Sequence, residues 1–283
     1  MTKPVSITFN ELNNLSTMVR PALLTFTRGK NIAEQGIDLT GNFPNVFIEP
    51  KKLEAYRNYF GFRNQLPITY LYLLAQRAKA ALMLNKAYTL SIPGTIHLNT
   101  NIEILKEIDP LQRLAIETTI KVPYKAQGAL APVFEITFLQ DDGIVAKGDG
   151  SYLIKRKSKK KSKPKQMPQA LANASVELEW QLSKKDALEY ANLSNDHNPI
   201  HTNLLAARLL GFKSQIMHGW YVASRCAQHV EQQKRREINR LNIEFLGAHT
   251  LPGSYLFKNN ANLFQTIDEK QNKVLSQGSF NFL

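Results

Sequence analysis

The sequence predicts an α+β protein of two similar halves, each with a long buried helix and a curved antiparallel sheet around it. Three observations support this fold class. Two apolar segments, at 66–86 and 218–233, have helical spacing, strand-like alternation follows each of them, and a basic stretch separates the halves. Such a sheet must cover its apolar face, and one long helix in each half can do so.

In the first half, apolar residues surround most of the helix predicted at 66–86, which indicates that this helix is buried. Strands are predicted at 96–105 and 114–122, with a proline turn at 109–110 between them. The half ends on a Gly-Ser-Tyr strand at 150–152. The period-2 alternation of these segments is typical of antiparallel strands with one buried face.

The second half opens with a strand predicted at 176–182. Ser183 and Asp186 follow it with the spacing of a capping box, which predicts a short helix at 186–193. Residues before a proline avoid the α region, and the position of Pro199 therefore predicts a loop at 196–201.

A second short helix is predicted at 204–210, because Gly211 is a typical helix end. The long helix at 218–233 precedes strands at 238–246 and 254–264, and the half ends on Gly-Ser-Phe at 278–280. This order repeats that of the first half, and the sequence NIEIL at 101–105 recurs as NIEFL later in the chain. We interpret this similarity between the halves as a duplication. Chance similarity between strand-rich segments is the alternative.

The composition is that of a globular protein, with 43% hydrophobic and 21% charged residues. The net charge is +13, but eight of these charges lie in KRKSKKKSKPK at 155–165, so the rest of the chain carries only +5. We interpret 156–170 as a basic linker between domains at 1–155 and 171–283. No recognised nucleic-acid motif accompanies the lysines, and nucleic-acid binding is not expected.

Membrane and secretory classes are not indicated. No apolar run approaches the roughly 20 residues that a membrane-spanning helix needs, and no secretory signal is visible at the N-terminus. Cys226 is the single cysteine, so no intrachain disulfide can form, and we expect a cytoplasmic protein with Cys226 as an inert core thiol.

The stretch SNDHNPIHTN, at 194–203, contains the strongest candidate for chemistry. A step of five residues across a proline turn can bring Asp196 and His201 to one side of the loop. A carboxylate and an imidazole that converge can hold one water, take a proton from it and give a proton to carbon, which is what hydration of a double bond requires. The alternatives are an aspartate that caps a turn and a histidine with a structural role.

Hydration of an α,β-unsaturated carbonyl compound also requires that negative charge on the carbonyl oxygen be stabilised. Gly219 is a candidate for this role. It follows His218 at the start of the long helix, where the first N–H groups have no intrahelical partner. Glycine also lets a ligand approach the backbone closely. We therefore interpret the Gly219 N–H as an oxyanion donor for a thioester carbonyl.

The segment YANLSNDHNPIH at 190–201, followed by AA at 206–207, GF at 211–212 and IMHG at 216–219, resembles the MaoC-like, R-specific enoyl-thioester hydratases of the hydratase 2 type. The resemblance implies a hotdog fold for each half, a helix wrapped by an antiparallel sheet. It further implies a double hotdog in which only the second half is catalytic, since the first half has no D-x-N-P-x-H motif.

The resemblance also implies roles for individual residues. The catalytic pair would be Asp196 and His201, with Asn198 shaping the loop. Substrate-binding residues would be Gly219, as the oxyanion donor, and Ser224, at a position where the family often has an active-site serine.

The sequence departs from the family pattern at Trp220, where methionine is more usual, so the length of the acyl pocket is in doubt. His197 is expected to be exposed, and His218 to pack or to orient the loop before the long helix. No two of the motif's histidines and Asp196 lie four apart on one helix, so no metal site is predicted.

The predicted function is a hydro-lyase that interconverts trans-2-enoyl and (R)-3-hydroxyacyl thioesters of fatty-acid metabolism, carried on CoA or acyl carrier protein. No cofactor is predicted, because CoA or phosphopantetheine would be part of the substrate. The alternatives are a hotdog thioesterase and a non-catalytic acyl-thioester or carrier-protein binding module. The basic linker could be merely solvated, or attract CoA phosphates or an acidic carrier protein.

The resemblance predicts that the first half forms one wall of the acyl channel. The assembly would be a monomeric double hotdog or a homodimer.

Overall fold

The computed structural model describes residues 4–25, 28, 36–93, 95–122, 131–141, 143–154, 171 and 174–283. The chain divides into two compact units, of which the first contains residues 1–56 and 64–160 and the second contains 57–63 and 161–283. The predicted basic linker at 156–170 lies outside the described residues, so the boundaries expected there remain predictions.

The first unit contains a six-stranded sheet with the strand order β1-β2-β4-β5-β6-β3. Its pairs are antiparallel, apart from the parallel pair of β1 and β2. The elements begin and end as follows: β1 Val5–Thr8, α1 Leu15–Leu24, β2 Ile37–Val46, α2 Pro50–Phe60, α3 Ile68–Leu84, β3 Thr95–Ile104, β4 Leu114–Val122, β5 Val133–Gln140 and β6 Gly143–Ile154.

Helix α3 is the long buried helix predicted at 66–86. It contacts β2, β3 and β4, and Leu71, Ala78 and Leu82 on it are inaccessible to solvent. The buried rings of Phe134 and Phe138 come from β5. Because apolar residues occur on most sides of α3, this helix is covered around nearly its whole circumference, as the sequence predicts.

The second unit contains a five-stranded antiparallel sheet with the order β8-β11-β10-β9-β7. Its helix α7 contacts β8 and buries the apolar residues of its first half. The elements are β7 Val176–Leu182, α4 Lys184–Ser194, α5 Pro199–Thr202, α6 Leu204–Leu209, α7 Gly219–Lys234, β8 Ile238–Phe245, β9 Gly253–Asn260, β10 Leu263–Asp268 and β11 Lys273–Phe282.

Each unit therefore has one long helix against a largely antiparallel sheet, which confirms the predicted α+β class. The single strand predicted at 254–264 is wrong, because the chain reverses at Ala261 and forms the hairpin of β9 and β10. Ala261 has a φ of 54°. The turn contains no glycine, and its signal is the cluster of asparagines around Ala261, which the sequence interpretation did not use.

No helix in the described part of the chain is both long enough and apolar enough to cross a membrane.

Candidate active site

Helix α4 leads the chain to the motif. Its capping box is present, since the Ser183 hydroxyl accepts from the Asp186 N–H at 3.4 Å and the Asp186 carboxylate accepts from the Ser183 N–H at 2.7 Å. The helix ends at Asn195, which adopts the left-handed conformation with φ 58°. Asparagine tolerates this conformation better than most residues, and the turn there directs the chain into Asp196.

The predicted loop at 196–201 is only partly correct, because its end forms the one-turn helix α5. Pro199 occupies the first helical position, where its missing N–H costs nothing. Proline keeps the residue before it out of the α region, and Asn198 is accordingly non-helical. The Asn198 side chain accepts from the Ile200 N–H at 3.4 Å. The Asp196 carboxylate accepts from the Asn198 N–H at 3.2 Å, so both side chains contribute hydrogen bonds to this turn.

His201 lies on α5 and is buried. Its Nδ1 is 2.8 Å from the carbonyl oxygen of Ile216, and because a carbonyl only accepts, Nδ1 carries the hydrogen. The neutral ring therefore keeps Nε2 as its basic nitrogen. Burial lowers the pKa of His201, although the charge of Asp196 acts in the opposite direction. At neutral pH this imidazole is a neutral base with a defined orientation.

Segment 215–217 holds this histidine in place. The Ile216 N–H donates to the Ile200 carbonyl at 3.3 Å, and the Gln215 side chain donates to the His201 carbonyl at 3.3 Å. On its other side, Ile216 forms a β-bridge with Thr250. The carbonyl that orients His201 is thus fixed by backbone contacts on two sides.

His218 orients the loop. Its Nε2 donates to the Asp196 carbonyl at 2.9 Å, and its ring stacks on that of His201 with 3.7 Å between centroids. Burial first, and then the neighbouring His201, lower the pKa of His218 to about 3. His218 therefore stays neutral and acts on the site through the position of Asp196. The sequence interpretation expected packing or an effect on the loop just before the long helix, and did not include this contact with Asp196.

The fold gathers these side chains into one cluster. A side-chain nitrogen or oxygen atom of each of Asp196, His201 and His218 lies within 4.8 Å of such an atom in the other two. No metal site was predicted, because no two of these residues lie four apart on one helix. The three side chains are instead brought together by tertiary contacts, which spacing within a helix does not reveal. One nitrogen of each ring is hydrogen-bonded to a backbone carbonyl, and Nε2 of His201 is left as the base.

Gly219 is the first residue of α7, as predicted, and its N–H is one of those that intrahelical bonding leaves unsatisfied. A Cβ atom at this position would lie 2.6 Å from the ring of Phe245 on β8. Glycine is therefore required by packing, a reason that the sequence interpretation did not include. The role of Gly219 as an oxyanion donor stays a prediction.

Ser224 is inaccessible to solvent, and its hydroxyl donates to the Trp220 carbonyl at 2.5 Å, within the same helix. Its substrate-binding role also stays a prediction. Trp220 is buried, and His197 is half-buried and not exposed as expected. Cys226 is a buried free thiol whose pKa burial raises, which agrees with an inert core thiol.

An aromatic cluster supports the site, and sequence reasoning missed part of it. Tyr190 packs edge-on against His218 at 4.9 Å and against Tyr221 at 5.6 Å. Phe60 packs on both tyrosines, at 6.0 and 5.6 Å. Phe60 belongs to the short segment 57–63 that groups with the second unit, and no local pattern in the first half indicates this.

The sequence of this chain is similar to known proteins. Residues 160–248 match the family model of the MaoC like domain. The 3-hydroxyacyl-thioester dehydratase X of Mycobacterium tuberculosis is 24% identical over 223 residues, which cover 73% of this chain and 75% of that protein.

Solved structures have the same fold. The crystal structure of HtdX from Mycobacterium tuberculosis has a TM-score of 0.72 at 19% identity, covering 86% of this chain and 100% of that chain. A MaoC-like dehydratase from Phytophthora capsici has a TM-score of 0.61 at 17% identity, covering 87% and 95%. These similarities confirm the predicted double-hotdog fold, and the residues similar to the MaoC like domain, 160–248, include the whole of the D-x-N-P-x-H motif.

Proposed function

We propose that this protein is a hydro-lyase that interconverts trans-2-enoyl and (R)-3-hydroxyacyl thioesters, carried on CoA or acyl carrier protein, in fatty-acid metabolism. The observation that carries the proposal is the neutral, oriented imidazole of His201 beside the Asp196 carboxylate, within a MaoC-like domain. The dehydratase named among the relatives supports the same reaction.

The chemistry follows from this geometry. Two polar atoms at this separation can both hydrogen-bond one water. In hydration, Nε2 of His201 takes a proton from that water as its oxygen bonds to the β-carbon. The electron pair of the double bond moves towards the thioester carbonyl, whose oxygen the Gly219 N–H would stabilise. Asp196 and His201 together return one proton to the α-carbon, so the net protonation of these two side chains is unchanged. Dehydration is the reverse sequence.

The central test is hydration of crotonyl-CoA, followed by loss of the enoyl absorbance. Asp196→Asn and His201→Gln preserve size and polarity but remove the carboxylate and the basic nitrogen. Each change should lower turnover by roughly 10²–10⁴-fold, the usual contribution of acid/base assistance. His197→Gln, which alters the neighbouring histidine, is the matched control and should retain full activity.

Chromatography of the product on a chiral phase should show only the (R)-3-hydroxyacyl form. Undiminished hydration by both motif variants would refute the proposal. Release of free thiol without hydration would indicate a thioesterase, and saturable acyl-CoA binding without turnover would indicate a binding module. Rates on enoyl-CoA and on the matching enoyl carrier protein identify the preferred carrier.

The proposal includes a cytoplasmic location and needs no cofactor beyond the carrier group of the substrate. The single, buried cysteine supports a reducing compartment.

A further inference from the structure

The orientation of His201 depends on a segment outside the motif. Segment 246–252 connects β8 to β9 and lies outside the named helices and strands. It pairs with segment 215–217 through two backbone hydrogen bonds and through the β-bridge of Ile216 and Thr250. Ile216, at the centre of this pairing, is the residue whose carbonyl accepts from Nδ1 of His201 at 2.8 Å.

One side chain of this segment joins it to the sheet. His249 is 2% exposed, and its Nε2 lies 2.9 Å from the Thr266 hydroxyl on β10. That hydroxyl lies 2.6 Å from the Ser276 hydroxyl on β11, opposite it in the strand register. A hydroxyl both donates and accepts, so Thr266 can bond both neighbours whichever nitrogen of His249 carries the hydrogen. Thr266 and Ser276 are themselves inaccessible to solvent.

The backbone of His249 continues the path from the sheet to the site. Its carbonyl accepts from the Met217 N–H at 2.7 Å, and the Leu251 N–H donates to the Gln215 carbonyl at 2.8 Å. These two bonds lie on either side of Ile216. A displaced His249 ring would therefore shift the carbonyl that orients the catalytic base.

The anchor is held by hydrogen bonding and packing, without charge. Burial lowers the pKa of His249 to about 3, so its ring is uncharged near neutral pH. The ring of Tyr255 packs edge-on against it, with 4.8 Å between centroids. Breaking the bond to Thr266 would leave a buried ring nitrogen without its partner, which is costly. The His249 ring is thus fixed relative to β10.

We propose that His249 is a positioning residue for the reaction proposed above. Anchored on Thr266, it fixes the carbonyl of Ile216 and thereby the tautomer and direction of the His201 ring. The expected effect on rate rests on the proposed function, whereas the expected effect on the tautomer rests on the hydrogen bonds alone. A misplaced base slows the chemical step but leaves the contacts that bind substrate, so kcat should fall and KM should change little.

The test uses the full chain and two substitutions at one position. Thr266→Val keeps the shape of the side chain but removes the hydroxyl that holds His249, whereas Thr266→Ser keeps the hydroxyl. A misplacement of about 1 Å can cost on the order of 10²-fold in rate, and kcat for crotonyl-CoA should fall about tenfold in the valine variant. The serine variant should retain most of the native kcat.

A matched control removes the hydroxyl of an equally buried threonine elsewhere. Thr118 on β4 is inaccessible to solvent, and its hydroxyl donates to the Glu135 carbonyl at 3.0 Å. Thr118→Val therefore loses a comparable hydrogen bond in the first unit and should keep the native kcat. Thermal unfolding scans establish that all three variants are folded.

A spectroscopic measurement separates positioning from a general loss of packing. Nitrogen-15 spectra of the imidazole rings show which nitrogen of each of the six histidines carries the hydrogen. In the native chain and in Thr266→Ser, His201 should carry it on Nδ1. His249→Phe keeps a ring beside Tyr255 but cannot bond Thr266, and should give a mixture of the two His201 tautomers.

Native kcat in folded Thr266→Val and His249→Phe would overturn the proposal. Equal losses of kcat in the valine and serine variants would also overturn it, because packing and not the hydrogen bond would then matter. If the native chain does not hydrate crotonyl-CoA, the proposed function fails by itself. In that case an unchanged His201 tautomer in both variants overturns the positioning role, and a mixture of tautomers supports it.

Discussion

At the scale of residues, two stacked histidines define the candidate active site. Each neutral ring gives its one N–H to a backbone carbonyl, His201 through Nδ1 to Ile216 and His218 through Nε2 to Asp196. The two rings are thus opposite tautomers, and burial keeps both uncharged at neutral pH. One of them can accept a proton, while the other holds the loop that carries the carboxylate.

The first prediction concerns pH. His201 acts as a base only when unprotonated, and its pKa is lowered from the ordinary value of 6.5. The value of kcat/KM for crotonyl-CoA should therefore be constant just above pH 6.5 and fall as the pH drops through the lowered pKa. A series of initial rates between pH 4.5 and 8 measures this limb. An acid limb centred above pH 6.5 would contradict the interpretation.

The second prediction concerns His218 as a positioning residue. His218→Phe keeps a ring against His201 but cannot donate to the Asp196 carbonyl, so the carboxylate loses its fixed position. A small misplacement of a catalytic group can cost on the order of 10²-fold in rate, and kcat should fall by about 10- to 100-fold. KM should change little, because His218 does not touch the substrate in this account.

Full kinetic curves and a thermal unfolding scan separate these effects for His218→Phe. Unchanged kcat in a folded variant would show that the hydrogen bond to Asp196 is dispensable.

At the scale of elements, short helices present the motif, and their ends are built by local side chains. The capping box starts α4, Asn195 ends it in the left-handed conformation, and Asn198 with Pro199 starts α5. These signals are local in sequence, which is why the start of α4 could be predicted from residue types alone. The start of α7 is different, because the Phe245 ring on β8 leaves no room for a Cβ atom at position 219.

The third prediction concerns the cap of α4. Ser183→Ala removes the side-chain acceptor of the Asp186 N–H and should lower the free energy of unfolding by about 1 kcal/mol, a typical cost for a lost N-cap. Urea unfolding measures the change. Ser183→Thr retains a hydroxyl and is the control, with a much smaller loss expected. Equal stabilities for the alanine variant and the native chain would mean that the cap contributes nothing.

The fourth prediction concerns the first turn of α7. Gly219→Ala places a methyl group against the Phe245 ring and should destabilise the second unit by about 1–3 kcal/mol, the usual cost of overpacking. Phe245→Leu in the same chain should recover much of this loss. A double-mutant cycle in urea measures the coupling between the two positions. Additive effects would show that the ring does not set the requirement for glycine.

At the scale of the whole molecule, the division into units does not follow the order of the chain. Segment 57–63 comes from the first half but groups with residues 161–283. Through Phe60 it packs on Tyr190 and Tyr221, next to the ring of His218. The second unit is therefore incomplete if it is cut from the chain at the basic linker.

The fifth prediction follows for the isolated fragment 171–283. Without Phe60 it should expose Tyr190 and Tyr221, and be poorly soluble or inactive in the crotonyl-CoA assay. Sedimentation and activity measure both properties. The matched variant of the full chain, Phe60→Ala, should lose about 3–5 kcal/mol of stability, the usual cost of truncating a buried phenylalanine. A soluble, fully active fragment would contradict this account.

Sequence reasoning is most accurate where the pattern is local. The two long helices, β4 and β7 match their predicted ranges closely, because each carries its own periodicity. The strand predicted at 254–264 fails, because the asparagines around Ala261 form a turn that the alternation of the flanking residues concealed. The loop predicted at 196–201 from the position of Pro199 is only partly correct, because this proline begins α5, where Asn198 is the cap.

The sequence by itself determined the α+β class, the echo between the halves, and the residue types of the motif, because these depend on spacing within a few turns of chain. Tertiary structure alone decided which nitrogen of His201 is basic, that His218 holds Asp196, and that Phe60 supports the site. It also decided that His249 is hydrogen-bonded to Thr266. These features join residues distant in the chain, and burial changes their protonation; neither effect is encoded in a local pattern.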